Sequence, residues 1–151
     1  MRILVSACLM GVHCRYDGEN NQIPELAKLL KNHVCIPVCP EILGGLGTPR
    51  PPAERLGSKF VTKDGQDVTD AFLKGAAETG RLADLCGCKA ALLKERSPSC
   101  GCGQIYDGTF TGTLTEGDGL TAQLLKKQGL TVYGESQISE LLHERPMFFS
   151  I

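Results

Sequence analysis

Three cysteines of this chain lie in the segments that follow short apolar runs, and such runs predict buried strands. They are Cys8, Cys39 and Cys100. In an open α/β sheet, ligands bind beyond the carboxyl ends of the strands, so the loops at that edge can bring distant cysteines together. Three thiolates without a fourth suit an iron–sulfur cluster with one open iron, or a zinc ion with one open position, as Lewis-acid catalysis requires. The placement therefore predicts a shared metal or cluster site.

Each of these cysteines also has a simpler interpretation, because a free cysteine is commonly a small buried hydrophobic side chain. That interpretation is favoured for Cys35, which lies within an apolar strand, and for Cys88, which lies beside one. Cys14 lies in a polar loop and is predicted to be an exposed thiol. Two C-x-C pairs leave open a structural zinc site of four sulfurs. Its members would be Cys86, Cys88, Cys100 and Cys102.

Acid–base chemistry has candidates beside two of the three cysteines. Glu41 lies two residues after Cys39, where a carboxylate could move protons at a cluster, although a solvated loop acid is the alternative. Ser97 and Ser99 precede Cys100, where their hydroxyls could donate protons or bond to the local backbone. Glycines between residues 44 and 47 could hold an anion with their amides, but no phosphate-binding motif is present.

Positioning these residues requires strands that alternate with helices. Continuous apolar runs predict strands over 3–7, 34–38, 89–93 and 130–133. Helices are predicted to begin at Pro24, at Thr69 or Asp70, near Leu120 and at Ser136. This alternation predicts an α/β fold, a single three-layer domain with a mainly parallel, Rossmann-like sheet.

Small hairpin insertions are predicted at two Asp-Gly pairs. The first joins residues 59–62 to residues 66–68 around Asp64-Gly65, and the second lies within residues 104–111 around Asp107-Gly108. Residues 40–58 are rich in glycine and proline, so no regular element is predicted there. Such a long irregular loop is usually functional or mobile.

Composition and charge limit the class of protein. The 151 residues carry 16 Lys and Arg against 17 Asp and Glu, a net charge of −1, so no large nucleic acid is expected as a partner. Hydrophobic residues make up 42% and charged residues 22%, as in globular proteins. No run suits a signal peptide or a membrane span, so we expect a cytoplasmic protein with reduced cysteines and no membrane partner. We expect one domain over residues 1–145, and an apolar tail over residues 146–151 that packs on the body or on a neighbour.

A set of motifs, taken together and in order, resembles the thiouracil desulfurase family. The motifs are Ser6-Ala7-Cys8-Leu9, Cys14-Arg15-Tyr16-Asp17-Gly18, Pro37-Val38-Cys39-Pro40-Glu41, Gly45-Leu46-Gly47-Thr48-Pro49-Arg50, Asp67-Val68-Thr69 and Ser97-Pro98-Ser99-Cys100-Gly101. The resemblance runs from Met1 to about Glu135. Any one motif alone is weak, whereas the combination in this order is specific.

The resemblance implies an enzyme with an oxygen-sensitive 4Fe-4S cluster held by Cys8, Cys39 and Cys100. The fourth iron would take the sulfur of a small thio-heterocycle such as 2-thiouracil, because a soft sulfur prefers a soft iron site. The reaction would exchange C=S for C=O and release sulfide without net redox change. Glu41 and Ser97 match the family's acid–base positions. Cys102 is the main rival to Cys100 as a ligand.

Two other functions stay open at this point. One is a small metal- or cluster-binding protein that senses or carries without turnover. The other is a nucleotide-binding module in which the cysteines are structural. Anaerobic purification of a coloured cluster would separate the first two functions from the third, and turnover of 2-thiouracil would separate enzyme from carrier.

Overall fold

The computed structural model of the protein describes residues 1–143. The predicted tail over residues 146–151 and the last two residues of the predicted domain lie outside the described residues, so the domain boundary stays a prediction. Over residues 1–143, no helix combines the length and the apolar character that crossing a membrane requires.

Strands and helices alternate along these residues. The strands are β1 (Arg2–Ser6), β2 (Val34–Val38), β3 (Ala53–Leu56), β4 (Lys59–Thr62), β5 (Ala90–Leu93), β6 (Gln104–Tyr106), β7 (Leu114–Glu116) and β8 (Thr131–Gly134). The helices are α1 (Leu26–Asn32), α2 (Pro40–Leu43), α3 (Thr69–Cys86), α4 (Leu120–Lys127) and α5 (Ile138–His143). Two 3-10 helices, Ala7–Met10 and Glu135–Gln137, follow β1 and β8.

The four apolar strands form one parallel sheet in the order β2-β1-β5-β8. In the central strand β1, Ile3 lies opposite Cys35 of β2 on one side and Ala90 of β5 on the other. Ile3, Leu4 and Val5 are fully buried. Burial of consecutive residues means that both faces of the sheet are covered, which explains why the run is apolar without alternation.

Helices cover both faces, and the predicted three-layer α/β fold is confirmed. Successive strand residues point to opposite faces of a sheet. Leu4 accordingly belongs to the core that contains Ala83 of α3 and Leu125 of α4. Its neighbour Val5 belongs to the opposite core, which contains Leu141 of α5 and residues of α1.

The strand order creates a crevice between β1 and β5. After β1 the chain turns to the face covered by α1, and after β5 it turns to the face covered by α4. Loops that leave neighbouring strands toward opposite faces open a crevice at the carboxyl edge, which is where ligands bind in sheets of this kind. The segments with Cys8, Cys39 and Cys100 all leave this edge.

The first predicted hairpin forms in part and the second is longer than predicted. Residues 66–68 pair with β4 through a bridge between Val61 and Asp67 and a hydrogen bond of 2.8 Å from the N–H of Val68 to the carbonyl of Phe60, and β4 also pairs with β3 across Gly57-Ser58. The strand β6 pairs with β7, so the second hairpin extends to Glu116. An Asp-Gly pair specifies a tight turn, but it does not specify which strand pairs across that turn.

The segment 40–58 is more regular than predicted, because it contains α2 and β3. Proline favours the first turn of a helix as readily as it favours a loop, and Pro40 occupies that position in α2. The strand β3 is short and has no apolar alternation, so its pairing with β4 defines it.

Candidate functional site

The predicted site residues line one cleft at the carboxyl edge of the sheet. Its walls include Cys8, Cys39 and Cys100 together with Glu41 and Ser97. The cleft has a volume of about 710 Å³, within the range of small-molecule sites. The fold thus brings together five residues from three separate segments of the chain.

Cys8 is positioned by the sharp turn that follows β1. The strand gives way to the 3-10 helix Ala7–Met10, which ends at Gly11 with a φ of 94°. Glycine adopts this left-handed conformation without steric cost. The carbonyl of Cys8 accepts hydrogen bonds from the N–H of Gly11 at 3.2 Å and from that of Asn21 at 2.9 Å. Both ends of the loop after β1 are therefore tied to Cys8.

Cys39 and Glu41 are positioned by the close packing of α2 on α3. Cys39 is the N-cap of α2. A Cβ added at Gly44, the C-cap of α2, would collide with the backbone of α3, and one added at Gly75 of α3 would collide with the carbonyl of Pro40. The two glycines let the helix backbones meet, which fixes the start of α2 at the cleft.

Cys100 is held by a compact loop over residues 97–101. The N–H of Gly101 donates to the carbonyl of Ser97 at 2.8 Å, and the carbonyl of Ser99 accepts from the N–H of Thr121 in α4 at 2.8 Å. A Cβ at Gly119 would lie 2.5 Å from the carbonyl carbon of Ser99, so no larger residue fits there. The loop is thereby clamped to the start of α4.

Cys14 also lines the cleft, and its predicted exposure is wrong. The residue is only 4% exposed. The thiol of Cys39 donates to the carbonyl of Cys14 at 3.9 Å. The loop reads as polar because it also carries charged side chains, such as those of Arg15 and Asp17, which form a partly exposed ion pair at 2.6 Å. The signal in the sequence is the place of Cys14 in the Cys-Arg-Tyr-Asp-Gly motif.

Three thiols of the cleft, those of Cys8, Cys14 and Cys100, have a pKa above the ordinary cysteine value. Burial raises the pKa of Cys8, although a hydrogen bond from Asn21 partly offsets the rise. Burial raises the pKa of Cys14 and that of Cys100 each to about 12, and neighbouring cysteine thiols add to both shifts. Binding of a metal or cluster requires thiolates, so it must release protons from this cleft.

Glu41 lies between a buried cation and a hydroxyl. Its Oε2 is 3.5 Å from Nη2 of Arg50 and 3.5 Å from Oγ of Ser99. The side chain of Arg50 is 6% exposed and also donates to the carbonyl of Cys14 at 2.9 Å. Arg50 therefore joins the carboxylate to the Cys14 loop. The sequence analysis did not predict this role for Arg50. The only indication in the sequence is that Arg50 is the last residue of the Gly-rich motif.

Ser97 bonds to the local backbone and also lines the cleft. Its Oγ accepts from the N–H of Ser99 at 3.1 Å and from that of Cys100 at 3.2 Å. The Oγ atoms of Ser97 and Ser99 are 3.0 Å apart. Ser99 contacts Glu41, as described above, and its Oγ also lies 3.6 Å from Sγ of Cys100. Ser99 thus connects the two predicted acid–base residues, which do not contact each other directly.

The other four cysteines adjoin the two apolar cores. Cys35 packs partly buried on the core next to α1 and α5, and Cys88 is 6% exposed in the opposite core. Cys86 and Cys102 pack against that same opposite core. Within residues 1–143, no group of three or more His, Cys, Asp or Glu side chains is arranged to hold a metal ion. The two C-x-C pairs therefore do not form the structural zinc site that the sequence left open.

The donor set of the cleft fits a cluster better than a single ion. A tetrahedral zinc ion holds its thiolates about 2.3 Å from the metal, and therefore within about 4 Å of one another. No three described residues meet the requirement for one ion, yet Cys8, Cys39 and Cys100 line one cleft, and the thiol of Cys39 adds to the rise that burial causes in the pKa of Cys8 and of Cys100. Soft thiolates spread around one cleft suit a multi-iron cluster.

Comparison with known proteins gives three similarities. The model of the family described as 2-thiouracil desulfurase matches residues 3–137. The uncharacterized protein YbbK of Bacillus subtilis (strain 168) is 43% identical over 150 residues, which are 93% of this chain and 99% of YbbK. The solved structure of the 4Fe-4S-dependent thiouracil desulfidase TudS matches with a TM-score of 0.89 at 47% identity, over 93% of this chain and 94% of TudS.

Proposed function

The chain belongs to the 2-thiouracil desulfurase family, and on this basis we propose that it is a 4Fe-4S-dependent enzyme that converts the C=S group of 2-thiouracil to C=O. The reaction consumes one water and releases hydrogen sulfide, so the oxidation state of the substrate carbon does not change. One observation carries the proposal to this structure: three cysteine thiols, a carboxylate and a serine hydroxyl line a single cleft of the family's fold.

The ligands in this proposal are Cys8, Cys39 and Cys100. Each follows a strand of the parallel sheet, and each lines the cleft. When bound, a cluster with three protein ligands supplies an open, soft Lewis-acid iron for the sulfur of the substrate. Burial raises the pKa of Cys8, and the charge of Lys94 partly offsets that rise, which favours the thiolate form that ligation needs.

Glu41 acts as the base in this proposal. Arg50 and Ser99 contact its carboxylate and hold it at the wall of the cleft, where it can accept a proton from water. Ser97 completes the polar wall with a hydroxyl that both donates and accepts. The attacking water supplies the oxygen of the product, and its two protons leave with the sulfide.

The rest of the molecule fits a small substrate and a reducing compartment. The cleft volume of about 710 Å³ matches a heterocycle rather than a polymer, and a net charge of −1 gives no attraction for a large nucleic acid. All eight cysteines, which lie within the described residues, are free thiols. We infer a cytoplasmic location, where thiols stay reduced.

Anaerobic purification and cluster reconstitution test the proposal. The loaded protein should convert 2-thiouracil to uracil, with one sulfide released for each uracil formed, and metal-free protein should not. Uracil is followed by chromatography and sulfide by a colorimetric assay. A fully loaded protein that forms no uracil contradicts the proposed reaction and favours a cluster carrier.

A further inference from the structure

Ser99 has a buried hydroxyl for which the proposed reaction gives no separate role. The residue is 2% exposed. Its Oγ lies 3.0 Å from Oγ of Ser97, 3.5 Å from Oε2 of Glu41 and 3.6 Å from Sγ of Cys100. One hydroxyl therefore contacts a candidate base, a candidate ligand and a second hydroxyl.

The surroundings of Ser97 fix the direction of the hydrogen bond between the two serines. A serine hydroxyl has one proton and two acceptor lone pairs. Both lone pairs of Ser97 are used, because its Oγ accepts from the N–H groups of Ser99 and Cys100. The bond between the serines must then use the proton of Ser97, so Ser97 donates and Ser99 accepts.

The proton of Ser99 is consequently free to point away from Ser97. Its two remaining neighbours are Oε2 of Glu41 and Sγ of Cys100, and each is an acceptor in its ionised form. The distances of 3.5 and 3.6 Å are long, as catalytic contacts often are before substrate binds. The direction of donation therefore runs from Ser97 through Ser99 to the carboxylate and the thiolate.

The hydrogen bond from Ser99 affects which oxygen of Glu41 can act as a base. Within residues 1–143, Arg50 and Ser99 both contact Oε2. Donors that share one carboxylate oxygen orient the group and leave Oε1 as the oxygen that can accept a proton from water. The backbone of Ser99 cannot shift to relax this arrangement, because Gly119 and Thr121 pack and bond against it.

We propose that Ser99 is a positioning residue that accepts a hydrogen bond from Ser97 and donates one to Oε2 of Glu41. This arrangement leaves Oε1 of Glu41 to act as the base. The inference rests on the proposed function and deepens it. In this arrangement Ser97 acts on Glu41 through Ser99, and the two serines form one unit with the carboxylate. The proton of Ser99 is also shared with Sγ of Cys100, because the two acceptors lie at nearly equal distances of 3.5 and 3.6 Å, and it forms one three-centre hydrogen bond to the carboxylate and the sulfur.

A double-mutant cycle tests whether Ser99 acts through Glu41. Ser99→Ala should lower kcat about ten- to a hundred-fold with KM little changed, because one hydrogen bond to a charged group is lost. In a Glu41→Gln background the same change should cost less than about threefold, because groups that act as a unit are not additive. Rates are expressed per cluster, and Ser58→Ala in the exposed turn between β3 and β4 is the control. Losses that multiply across the two backgrounds overturn the inference, as does a fully active Ser99→Ala variant.

Ser99→Thr separates loss of the hydroxyl from disturbance of the loop. The variant keeps a donor and an acceptor at the same place, so it should recover most of the activity that Ser99→Ala loses. A loaded Ser99→Thr variant as inactive as Ser99→Ala overturns the inference.

The reduction potential of the cluster gives a readout without turnover. Hydrogen bonds to the cluster sulfurs and their thiolates stabilise the more negative reduced state. Ser99→Ala should therefore lower the potential, whereas Ser97→Ala should not, because it leaves the hydrogen bond from Ser99 to Cys100 in place. If the loaded wild-type protein forms no uracil, the proposed function is wrong. The potential still tests the hydrogen bond from Ser99 in that case, because it does not depend on turnover. Equal potentials in wild type and Ser99→Ala overturn the inference.

Discussion

Eight residues of one type divide into two sets of four with different surroundings. The cleft contains Cys8, Cys14, Cys39 and Cys100. The second set, which does not line the cleft, contains Cys35, Cys86, Cys88 and Cys102. All four pack with the apolar cores, as Cys8 and Cys100 also do. In the cleft, the thiols meet polar partners such as the carbonyl of Cys14 and the hydroxyl of Ser99. The two sets therefore differ in access to the cleft rather than in contact with the cores.

The position of each cysteine relative to the sheet explains the difference. Inside the sheet both faces are covered, so a thiol there meets apolar neighbours. Beyond the carboxyl end of a strand the chain enters a loop whose amides and polar side chains surround the crevice. Cys35 lies in the first environment, within β2. The C-x-C pairs do not follow this division, because Cys86 ends α3, Cys88 lies between α3 and β5, and Cys100 lines the cleft. Placement after a strand predicted three of the four cysteines that line the cleft, whereas C-x-C spacing did not separate the two sets.

The largest effect is expected when one of the proposed cysteine ligands is removed from the cleft. Cys100→Ala should lose the cluster entirely. Only two of the three proposed ligands remain in this variant, and the binding free energy that the third thiolate contributes is lost. Iron and acid-labile sulfide are measured after anaerobic reconstitution, relative to the wild type. The same result is expected for Cys8 and Cys39.

Cys14→Ala is the matched control, because it removes a thiol from the same cleft without removing a proposed ligand. Its buried neighbourhood should tolerate the small change, so iron content should stay near that of the wild type. The backbone carbonyl that Cys39 and Arg50 use is kept in this variant. Loss of iron equal to that of Cys100→Ala would add Cys14 to the ligand set.

A smaller effect is expected when the cleft keeps its ligands and loses its base. Glu41→Gln keeps the size and most hydrogen bonds of the side chain but cannot accept a proton. It should lower kcat by about 10²–10⁴-fold with iron and sulfide content unchanged. Uracil formation per cluster is the measurement, and Glu25→Gln at an exposed position is the control. Near-normal turnover of Glu41→Gln would refute the acid–base role.

The sheet and the ligand candidates could be predicted from the sequence because local patterns specify them. A continuous apolar run such as Ile3-Leu4-Val5 specifies a strand covered on both faces, and a cysteine just after it must lie at the sheet edge. The roles of Cys14 and Arg50 could not be predicted in this way. Their burial results from contacts with Cys39 and Glu41, which lie 25 and 9 residues away in sequence. Neither contact leaves a periodic pattern in the loops.

Hairpin pairing was predicted only in part, for a similar reason. The turn at Asp64-Gly65 forms, and the N–H of Val68 donates to the carbonyl of Phe60 at 2.8 Å across it. The strand β4 also pairs with β3, and Oε1 of the buried Glu54 in β3 accepts from the N–H groups of Gly108 and Phe110. These bonds join the two hairpins to each other, and they are tertiary contacts that the sequence did not indicate.

The smallest expected effect lies in the second set and tests the comparison most directly. Cys35 belongs to β2 and Cys39 follows the same strand four residues later, so the two differ in position and not in chemistry. Cys35→Ala should leave iron content intact and cost about 1 kcal/mol in the free energy of unfolding, because a partly buried sulfur is removed from the core. Urea unfolding of the metal-free protein measures that cost without a contribution from ligand binding. If Cys35→Ala lost as much iron as a Cys39→Ala variant, a cysteine inside β2 would matter for the cluster as much as one just after it. The division of the cysteines into two sets would then be wrong.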